Sequence, residues 1–539
     1  MASRPDLHMR LLLMALLAGP VGAADHEHAS LGKVDFPVSC STAAKAQFND
    51  AVTLLHHMTY PQAREAFEQL IQIEPDCAMA HWGVAMTLFQ PLWPTRPNAA
   101  ALARGWDEVR KAKSLPSTPR ESQFITAAEA FFIEPESSDY WARIRRWEQA
   151  SRHAYEALPG DDEAAIFYAL SHLATSPASG NLREHADESA EILLNVYRKQ
   201  PDHPGVMHYL VHANDVPGRE HELLEITRKY DSIAPDNPHA LHMPTHIYTR
   251  LGDWDGVIKG NLRAADAALS HPAGEKGELV WDEFAHAIEY LVYAYLQQGA
   301  DVSAAEQLRR LQNTPRMEPT FKTAFHLAST QSRYALERRD WIAASKIEPR
   351  TPTYLDWDRF MWAEATARFA RGLGAAHLRM NDEAQLALTR LGELEGVARK
   401  AGEDLFARSI KVLDLELAAW SAHAQGQEAK SVEVMRQAAD LELATPKHAV
   451  TPAPTLPAYE LLGDLYTEQK KPAEALSAYE RSLQLYPRRF NSLLGAATAA
   501  RAVGDTAKAR AFYTQLVELA APDSPRKSLK EARAYLAKR

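Results

Sequence analysis

Residues 462–487 read LGDLYTEQKKPAEALSAYERSLQLYP and contain the spacing that decides the fold. Gly463 opens the segment, Ala475 is followed four residues later by Tyr479, and Pro487 closes it. Small residues let two helices approach closely, an aromatic side chain fills the space beside them, and proline ends a helix. The segment therefore predicts a pair of packed helices.

A second copy of this spacing begins at Phe490, with Ala509, Tyr513 and Pro522 in matching places. Both copies resemble the tetratricopeptide repeat, whose pattern is L-G-x2-Y…A-x3-F…P over 34 residues. The resemblance implies an all-α fold, a right-handed α-solenoid of helix pairs that presents a concave groove.

Similar turns and helix pairs recur along the rest of the chain. The matching segments are Ala63 to Pro75, Leu251 to Trp254, Gln298-Gly299 and Arg339 to Trp341. Apolar residues between the turns follow helical spacing, and no segment alternates with the period of a strand. The predicted organisation is a signal peptide (1–23), a flexible mature N-terminus (24–39), a central solenoid (40–350), further helical repeats (351–450) and a C-terminal repeat pair with a capping helix (456–539).

The N-terminus has the pattern of an export signal. Arg4 and Arg10 precede the apolar run Leu11–Leu17, and the small residues Val21-Gly22-Ala23 follow. The run is too short to span a bilayer, so cleavage and export to the periplasm or outside the cell are expected. No later segment reaches membrane-spanning length. The net charge of −10, without a basic stripe, argues against a nucleic-acid partner.

The chain has two cysteines, Cys40 and Cys77. An even number of cysteines in an exported chain favours a disulfide, and their separation is close to one helix-pair repeat. We expect a bridge that ties the starts of two successive first helices together.

Two further stretches are similar to those of a group of exported bacterial tetratricopeptide proteins. They read DCAMAHWG (residues 76–83) and HMPTHIY (residues 242–248), and the likeness spans most of residues 40–345. The group has no assigned biochemical activity, so the resemblance implies fold and export and says little about chemistry.

Histidines recur at equal positions of two successive repeats. Pro204 and Pro238 begin helices 34 residues apart, and His208 and His212 lie at positions five and nine of the first repeat. By resemblance to tetratricopeptide domains, positions two, five, nine, twelve and thirteen line the groove. A spacing of four residues places both rings on one helix face.

His242 and His246 lie at the same positions of the following repeat. Because first helices pack roughly 8–10 Å apart, the four rings should converge in one patch of groove. Further polar groove or second-shell residues are expected around them, namely Asp215, His286, Glu289, Tyr293 and Arg333. His56 is a weaker groove candidate.

Imidazole is the commonest metal ligand near neutral pH, and several histidines suit zinc, copper or iron. The histidines could instead hydrogen-bond one another or grip an anionic peptide. We therefore expect a periplasmic scaffold that binds a protein, peptide or small ligand in its concave groove. The alternative is a metal-binding protein or metal-dependent enzyme that uses His208, His212, His242 and His246.

No catalytic motif is recognisable, so the sequence leaves enzymatic activity open. The glutamate of the H-E-x-x-H protease motif is missing from both histidine pairs, and there is no phosphate loop or Gly-x-Ser-x-Gly. If the signal is cleaved after Ala23, the new N-terminus Ala24-Asp25-His26 could bind copper or nickel.

Overall fold

The computed structural model describes residues 31–538, apart from 94–95, 138 and 275–276. The signal sequence and the Ala24-Asp25-His26 motif lie outside the described residues. The chain is about 71% helical and all-α, as predicted, and the β-structure in the described residues consists only of isolated bridges such as that between Ala273 and Leu279. A short 3-10 turn covers Trp357–Arg359.

The first half of the chain forms helices α1 (Thr42–His56), α2 (Tyr60–Ile73), α3 (Ala78–Met86), α4 (Ala99–Ser114), α5 (Pro119–Phe132), α6 (Tyr140–Ala157), α7 (Asp162–Ser179), α8 (Leu182–Tyr197), α9 (Pro204–Asn214), α10 (Leu224–Ile233), α11 (Pro238–His242), α12 (Pro244–Leu251) and α13 (Trp254–Leu269). The second half forms α14 (Asp282–Gln297), α15 (Asp301–Gln312), α16 (Phe321–Leu336), α17 (Trp341–Ser345), α18 (Met361–His377), α19 (Asn381–Lys400), α20 (Asp404–Ala424), α21 (Glu428–Leu443), α22 (Ala458–Glu468), α23 (Pro472–Leu485), α24 (Phe490–Ala502), α25 (Thr506–Leu519) and α26 (Lys527–Ala537).

These helices pack as successive pairs, and the first helix of one pair also contacts the first helix of the next, as in the series α14, α16, α18 and α20. The all-α solenoid predicted from the repeats is confirmed. A single hydrophobic core runs from Phe321 to Ala509, across the two domain boundaries suggested by the sequence. No helix in the described part of the chain is long and apolar enough to cross a bilayer.

The residues of the repeat pattern make the close helix contacts that their spacing predicts. A Cβ atom added at Gly463 would lie 2.6 Å from the ring of Tyr479, and one added at Gly495 would lie 2.3 Å from the same ring. Both glycines therefore let the aromatic side chain sit directly on a helix backbone. The predicted turn at Gly252 is also confirmed, since α12 ends there in the left-handed region, with φ +66°.

The two cysteines form the predicted disulfide. Cys40 lies just before α1, Cys77 caps α3, and their Cα atoms are 5.2 Å apart. The bridge therefore ties the first two helix pairs together at their starts, as expected.

The inner surface of the solenoid is closed over by distant parts of the chain. Helix α1 contacts α9, and α14 contacts α24. The segment between α21 and α22 also folds inward, because Nη1 of Arg333 donates to the carbonyl of Pro454 at 2.8 Å and Lys447 lies 3.0 Å from Asp215. The central part of the solenoid therefore encloses a buried polar interior.

Candidate metal centre

The predicted histidines are brought together, but as two groups of three. The first trio contains His208 and His212 from α9 together with His239 from α11. Nε2 of His208 lies 3.2 Å from Nε2 of His212 and 3.1 Å from Nε2 of His239. Positions five and nine of one repeat therefore meet position two of the next repeat.

The second trio repeats this arrangement one step along the solenoid. It contains His242 from α11, His246 from α12 and His286 from α14. Nε2 of His242 lies 2.9 Å from Nε2 of His246, and one ring nitrogen from each of the three residues lies within 4.8 Å of the others. Again positions five and nine meet position two of the following repeat.

The two trios are neighbours. The ring centroids of His212 and His246 are 6.5 Å apart, and those of His239 and His242 are 6.4 Å apart. We call the six residues together the six-histidine centre. Five of the six are buried, and His212 is half-buried.

The protonation of the second trio follows from its partners. Nδ1 of His246 faces the carboxylate of Asp215 at 3.1 Å, and Nδ1 of His242 faces the side-chain oxygen of Asn261 at 2.6 Å. The side-chain N–H of Asn261 donates to the backbone carbonyl of Val257, and this bond fixes the orientation of the amide. Oxygen acceptors require the proton on Nδ1 of both rings. Two Nε2 lone pairs therefore face each other at 2.9 Å.

Two rings of the first trio, those of His208 and His239, have a similar arrangement. Nδ1 of His208 donates to the backbone carbonyl of His56 at 2.6 Å, which leaves the lone pair on Nε2. Nδ1 of His239 lies 3.3 Å from a carboxylate oxygen of Glu283, an ion-pair distance without hydrogen-bond alignment. The carboxylate favours a proton on Nδ1 of His239 and a lone pair on its Nε2, 3.1 Å from that of His208.

His286 is oriented by a chain of buried groups. Nδ1 of His326 donates to Glu289 at 2.5 Å, so Nε2 of His326 accepts from Nδ1 of His286 at 2.8 Å. Arg333 and Ser329 donate to the other carboxylate oxygen of Glu289. The chain leaves the lone pair of His286 on Nε2. Carboxylate-to-histidine contacts of this kind hold metal ligands in one tautomer and orientation.

Burial favours the neutral form of five of the six rings. It lowers the pKa of His208, His212, His242 and His286 well below the usual histidine value, and neighbouring histidines lower it further. Burial also lowers the pKa of His246, against the opposing effect of Asp215. Neutral imidazoles are the form that binds metal ions.

The geometry of the facing nitrogens suits a metal ion. An ion held at about 2.0–2.1 Å from two imidazole nitrogens, at right or tetrahedral angles, separates them by about 2.9–3.4 Å. The three Nε2 distances of 2.9, 3.1 and 3.2 Å fall in this range. Lone pairs that face each other repel, and a cation between them converts the repulsion into coordination.

The other predicted residues surround the centre without joining either trio. Asp215 orients His246 and pairs with Lys447 and Arg250. Burial alone would raise the pKa of Asp215, but Lys447 and Arg250 hold it well below its usual range. Glu289 and Arg333 form a buried ion pair at 2.7 Å. Tyr293 accepts from Nη1 of Arg489 at 2.8 Å.

The open groove expected from the sequence is not formed by these residues. His286, Glu289, Tyr293 and Arg333 are all buried. The reason is the closure described above, because Lys447, residues 451–455 and Arg489 fill the inner face against which they lie. The expected interior polar site is present, but it is enclosed.

Two residues of the site were missed by the sequence reasoning. His239 and His326 both occupy position two of a repeat, the same position at which His286 was found. The signal was therefore available, since position two had been assigned to the groove. Applying position two to every repeat would have identified His239 in the first trio and His326 in the hydrogen-bond chain to Glu289.

A third histidine group lies in the same interior and has different chemistry. His56, Glu163 and His203 form what we call the His–Glu–His triad. Nε2 of His56 donates to one oxygen of Glu163 at 3.0 Å, and Nε2 of His203 donates to the other at 3.1 Å. The remaining nitrogens accept, from the hydroxyl of Tyr209 and the backbone N–H of Val206. Every group in the triad has a complementary partner.

Comparison with known proteins supports the repeat assignment. Residues 457–489 match the sequence model of the tetratricopeptide repeat. A search of curated proteins finds no match to the chain.

Several solved structures are similar to this chain at low identity. The Cut9–Hcn1 assembly of the APC/C is 13% identical, with a TM-score of 0.28, over 92% of this chain and 97% of that one. Yeast Tom70 is 11% identical, with a TM-score of 0.30, over 92% and 95%. A human IFIT1 dimer with PPP-AAAA is 12% identical, with a TM-score of 0.35, over 86% and 95%. Nothing about function is transferred at these values.

The fold itself suggests a protein-binding scaffold, because tetratricopeptide solenoids typically bind proteins or peptides on their extended surfaces. The six-histidine centre is an additional feature that such binding does not require.

Proposed function

We propose that this protein binds transition-metal ions in its six-histidine centre, one ion at each trio. The observation that carries the proposal is the pair of Nε2 atoms of His242 and His246, which face each other at 2.9 Å while both Nδ1 atoms donate elsewhere. Two neutral imidazoles in this arrangement repel, unless a cation lies between their lone pairs.

The ligand set favours a transition metal such as zinc, copper, iron or nickel. Each trio offers imidazole nitrogens alone, and the nearby carboxylates of Asp215 and Glu283 contact the opposite, Nδ1 side of the rings. Imidazole suits zinc, copper, iron and nickel, whereas magnesium, calcium and manganese prefer oxygen ligands. Three protein ligands at each ion leave a coordination position for water or a substrate, so a metal-dependent enzyme is compatible with the site.

We further propose that the protein works in an oxidising compartment, the periplasm or the cell exterior. The disulfide between Cys40 and Cys77 supports this location, since cytosolic thiols are normally kept reduced. The export signal predicted at residues 1–23, and the similarity to exported bacterial tetratricopeptide proteins, point the same way.

A protein- or peptide-binding role is the second candidate, and the tetratricopeptide match at residues 457–489 favours it. Because the central interior is filled, such a partner would bind the outer parts of the solenoid or the C-terminal repeats. The two roles are compatible, since one site is buried and the other surface is not.

Calorimetric titration with zinc tests the metal proposal. The wild-type chain should bind two zinc ions, and a His212→Ala/His246→Ala variant, which removes one ligand from each trio, should lose at least hundredfold in affinity at both sites. A titration with copper should be done second. Zinc is the better first probe, because the predicted N-terminus Ala24-Asp25-His26 could bind copper independently of the centre.

The matched control is a His56→Ala/His203→Ala variant. It removes two buried histidines from the triad, so it reports what cavity formation does to the fold without touching the centre. It should still bind two zinc ions. Equal zinc affinity in the wild type and in His212→Ala/His246→Ala would disprove the metal centre. If that variant does not fold, His212→Gln alone, at the half-buried ligand, replaces it.

A further inference from the structure

A cavity of about 80 Å³ lies beside the first trio. Its walls come from the turn between α1 and α2, the loop after α3, the start of α14 and the loop before α16. Trp93, Glu283, Glu318 and Lys322 are among the lining residues. The space is large enough for several water molecules or a hydrated cation.

The inner wall of the cavity touches the six-histidine centre. Glu283 lines the cavity, and its Oε1 lies 3.3 Å from Nδ1 of His239. The ring of Trp93 lies against the ring of His239, with centroids 5.3 Å apart. Glu283 is buried, whereas Trp93 and Glu318 are half-buried. The cavity therefore lies between partly exposed residues and the side chains that contact His239.

The lining carries more negative than positive charge. The carboxylates are Asp282, Glu283 and Glu318, and the one cation among the described lining residues is Lys322. Nζ of Lys322 lies 2.8 Å from Asp282 and 2.5 Å from Glu283, so it is already shared between two of them. Oε2 of Glu283 is buried and has no hydrogen-bond partner in the described structure.

Glu318 reports the same excess of negative charge. Burial, and then the neighbouring carboxylate of Asp282, raise its pKa to about 7. Lys322 acts in the opposite direction and does not cancel these effects. A cation in the cavity would meet carboxylates that the chain itself leaves incompletely neutralised.

We propose that this cavity is the entry route of divalent cations into the six-histidine centre, with Glu318 at its outer end and Glu283 beside His239. The proposal rests on the metal-binding function above. The carboxylates raise the local concentration of cations, and His239 is the residue of the first trio that contacts the lining of the cavity. The ring of Trp93, which Lys322 overlies at 4.8 Å, narrows the passage.

Stopped-flow mixing with cobalt(II) chloride tests the route, because cobalt reports its coordination through visible absorption. At pH 8, where Glu318 is ionised, Glu318→Gln should slow cobalt association about threefold or more and weaken its dependence on salt. Trp93→Ala should speed both association and release to a chelator. Both variants should reach the wild-type number of bound ions.

Glu393→Gln, which removes an exposed carboxylate from α19, is the matched control and should leave the rates unchanged. If Glu318→Gln and Trp93→Ala bind and release cobalt at wild-type rates, the entry route is wrong although the metal centre stands. If the wild type binds no cobalt at equilibrium, the metal centre and the route both fail. The number of bound ions thus separates the two outcomes.

Discussion

The six-histidine centre and the His–Glu–His triad are both buried, both built from helix positions that face the interior, and chemically opposite. In the triad, Glu163 supplies two acceptor oxygens for two imidazole donors. In the centre, the donors of His242 and His246 are directed away to Asn261 and Asp215. The lone pairs that remain have no donor and face one another.

The difference shows that the presence of buried histidines does not identify a metal site. What distinguishes the two regions is the balance between donors and acceptors. A carboxylate placed between the rings, as Glu163 is, satisfies the imidazoles and makes a structural element. A carboxylate placed behind the ring, as Asp215 is behind His246, sets the tautomer and leaves the lone pair of the other ring nitrogen unused, as the proposed metal site requires.

Removal of the metal should produce the largest difference in stability between variants of the two regions. With free zinc about a thousandfold above its dissociation constant, each bound ion should add about 4 kcal/mol to the free energy of unfolding. Urea unfolding with and without chelator measures this difference. The increase should vanish in His212→Ala/His246→Ala and persist in His56→Ala/His203→Ala. A zinc effect of equal size in both variants would contradict the contrast.

Loss of the triad carboxylate should lower stability without changing metal binding. Glu163→Ala leaves one buried N–H donor on each of His56 and His203 without an acceptor, which costs about 1–3 kcal/mol for each donor. Chemical denaturation in the presence of chelator measures the cost. Zinc titration of the same variant should still give two ions, and a reduced zinc count would mean that the triad is part of the metal site.

The effect of histidine protonation on stability can be measured separately at His448, which belongs to neither region. Burial, with Lys447 and His326, lowers its pKa to about 3. Below pH 6.5 the unfolded chain binds a proton that the folded chain refuses, so stability falls as pH decreases from 6.5 toward 3. At pH 5 the loss is about 2 kcal/mol.

His448→Phe removes this proton-binding difference, and the surrounding rings of Phe321, Trp362 and Phe406 suit the replacement. Between pH 7.5 and pH 5, chelated wild-type protein should lose about 2 kcal/mol more of its unfolding free energy than the variant. Parallel pH profiles would show that His448 is protonated in the folded state.

An effect on zinc affinity alone is expected from the chain that orients His286. His326→Ala removes the acceptor for Nδ1 of His286 and should weaken zinc binding about tenfold to hundredfold, as loss of such supporting partners typically does. Competition with a zinc-sensitive dye measures the change. His153→Ala, at an exposed histidine on α6, should bind zinc like the wild type. Unchanged zinc affinity in His326→Ala would show that the chain to Glu289 serves structure alone.

The sequence predicts the fold of this protein well because repeat spacing is local. Gly463 and Tyr479 are in one helix pair, and their contact follows from residues close in the chain. The disulfide was predictable for the same reason, since Cys40 and Cys77 start neighbouring helices. The four principal histidines were found because equal positions in successive repeats are adjacent in space.

Enclosure of the site could not be predicted, because it depends on contacts between residues far apart in the sequence. Nothing in the repeat pattern says that the carbonyls of residues 453–455 accept from Arg333, or that Arg489 reaches Tyr293. The division into two trios was also missed. It arises because position two of each repeat reaches back to the preceding helix, a rule that becomes visible with His239 and His286 in place.

The inward fold of the segment between α21 and α22 has a consequence for when the centre can exist. His208 is held by the carbonyl of His56, Asp215 by Lys447, and Tyr293 by Arg489, so the parts that define the site span more than 400 residues of chain. A nascent or unfolded chain has the histidines but not their fixed tautomers. A chain that crosses a membrane unfolded would therefore arrive without its metal, and would draw its ions from the compartment in which it folds.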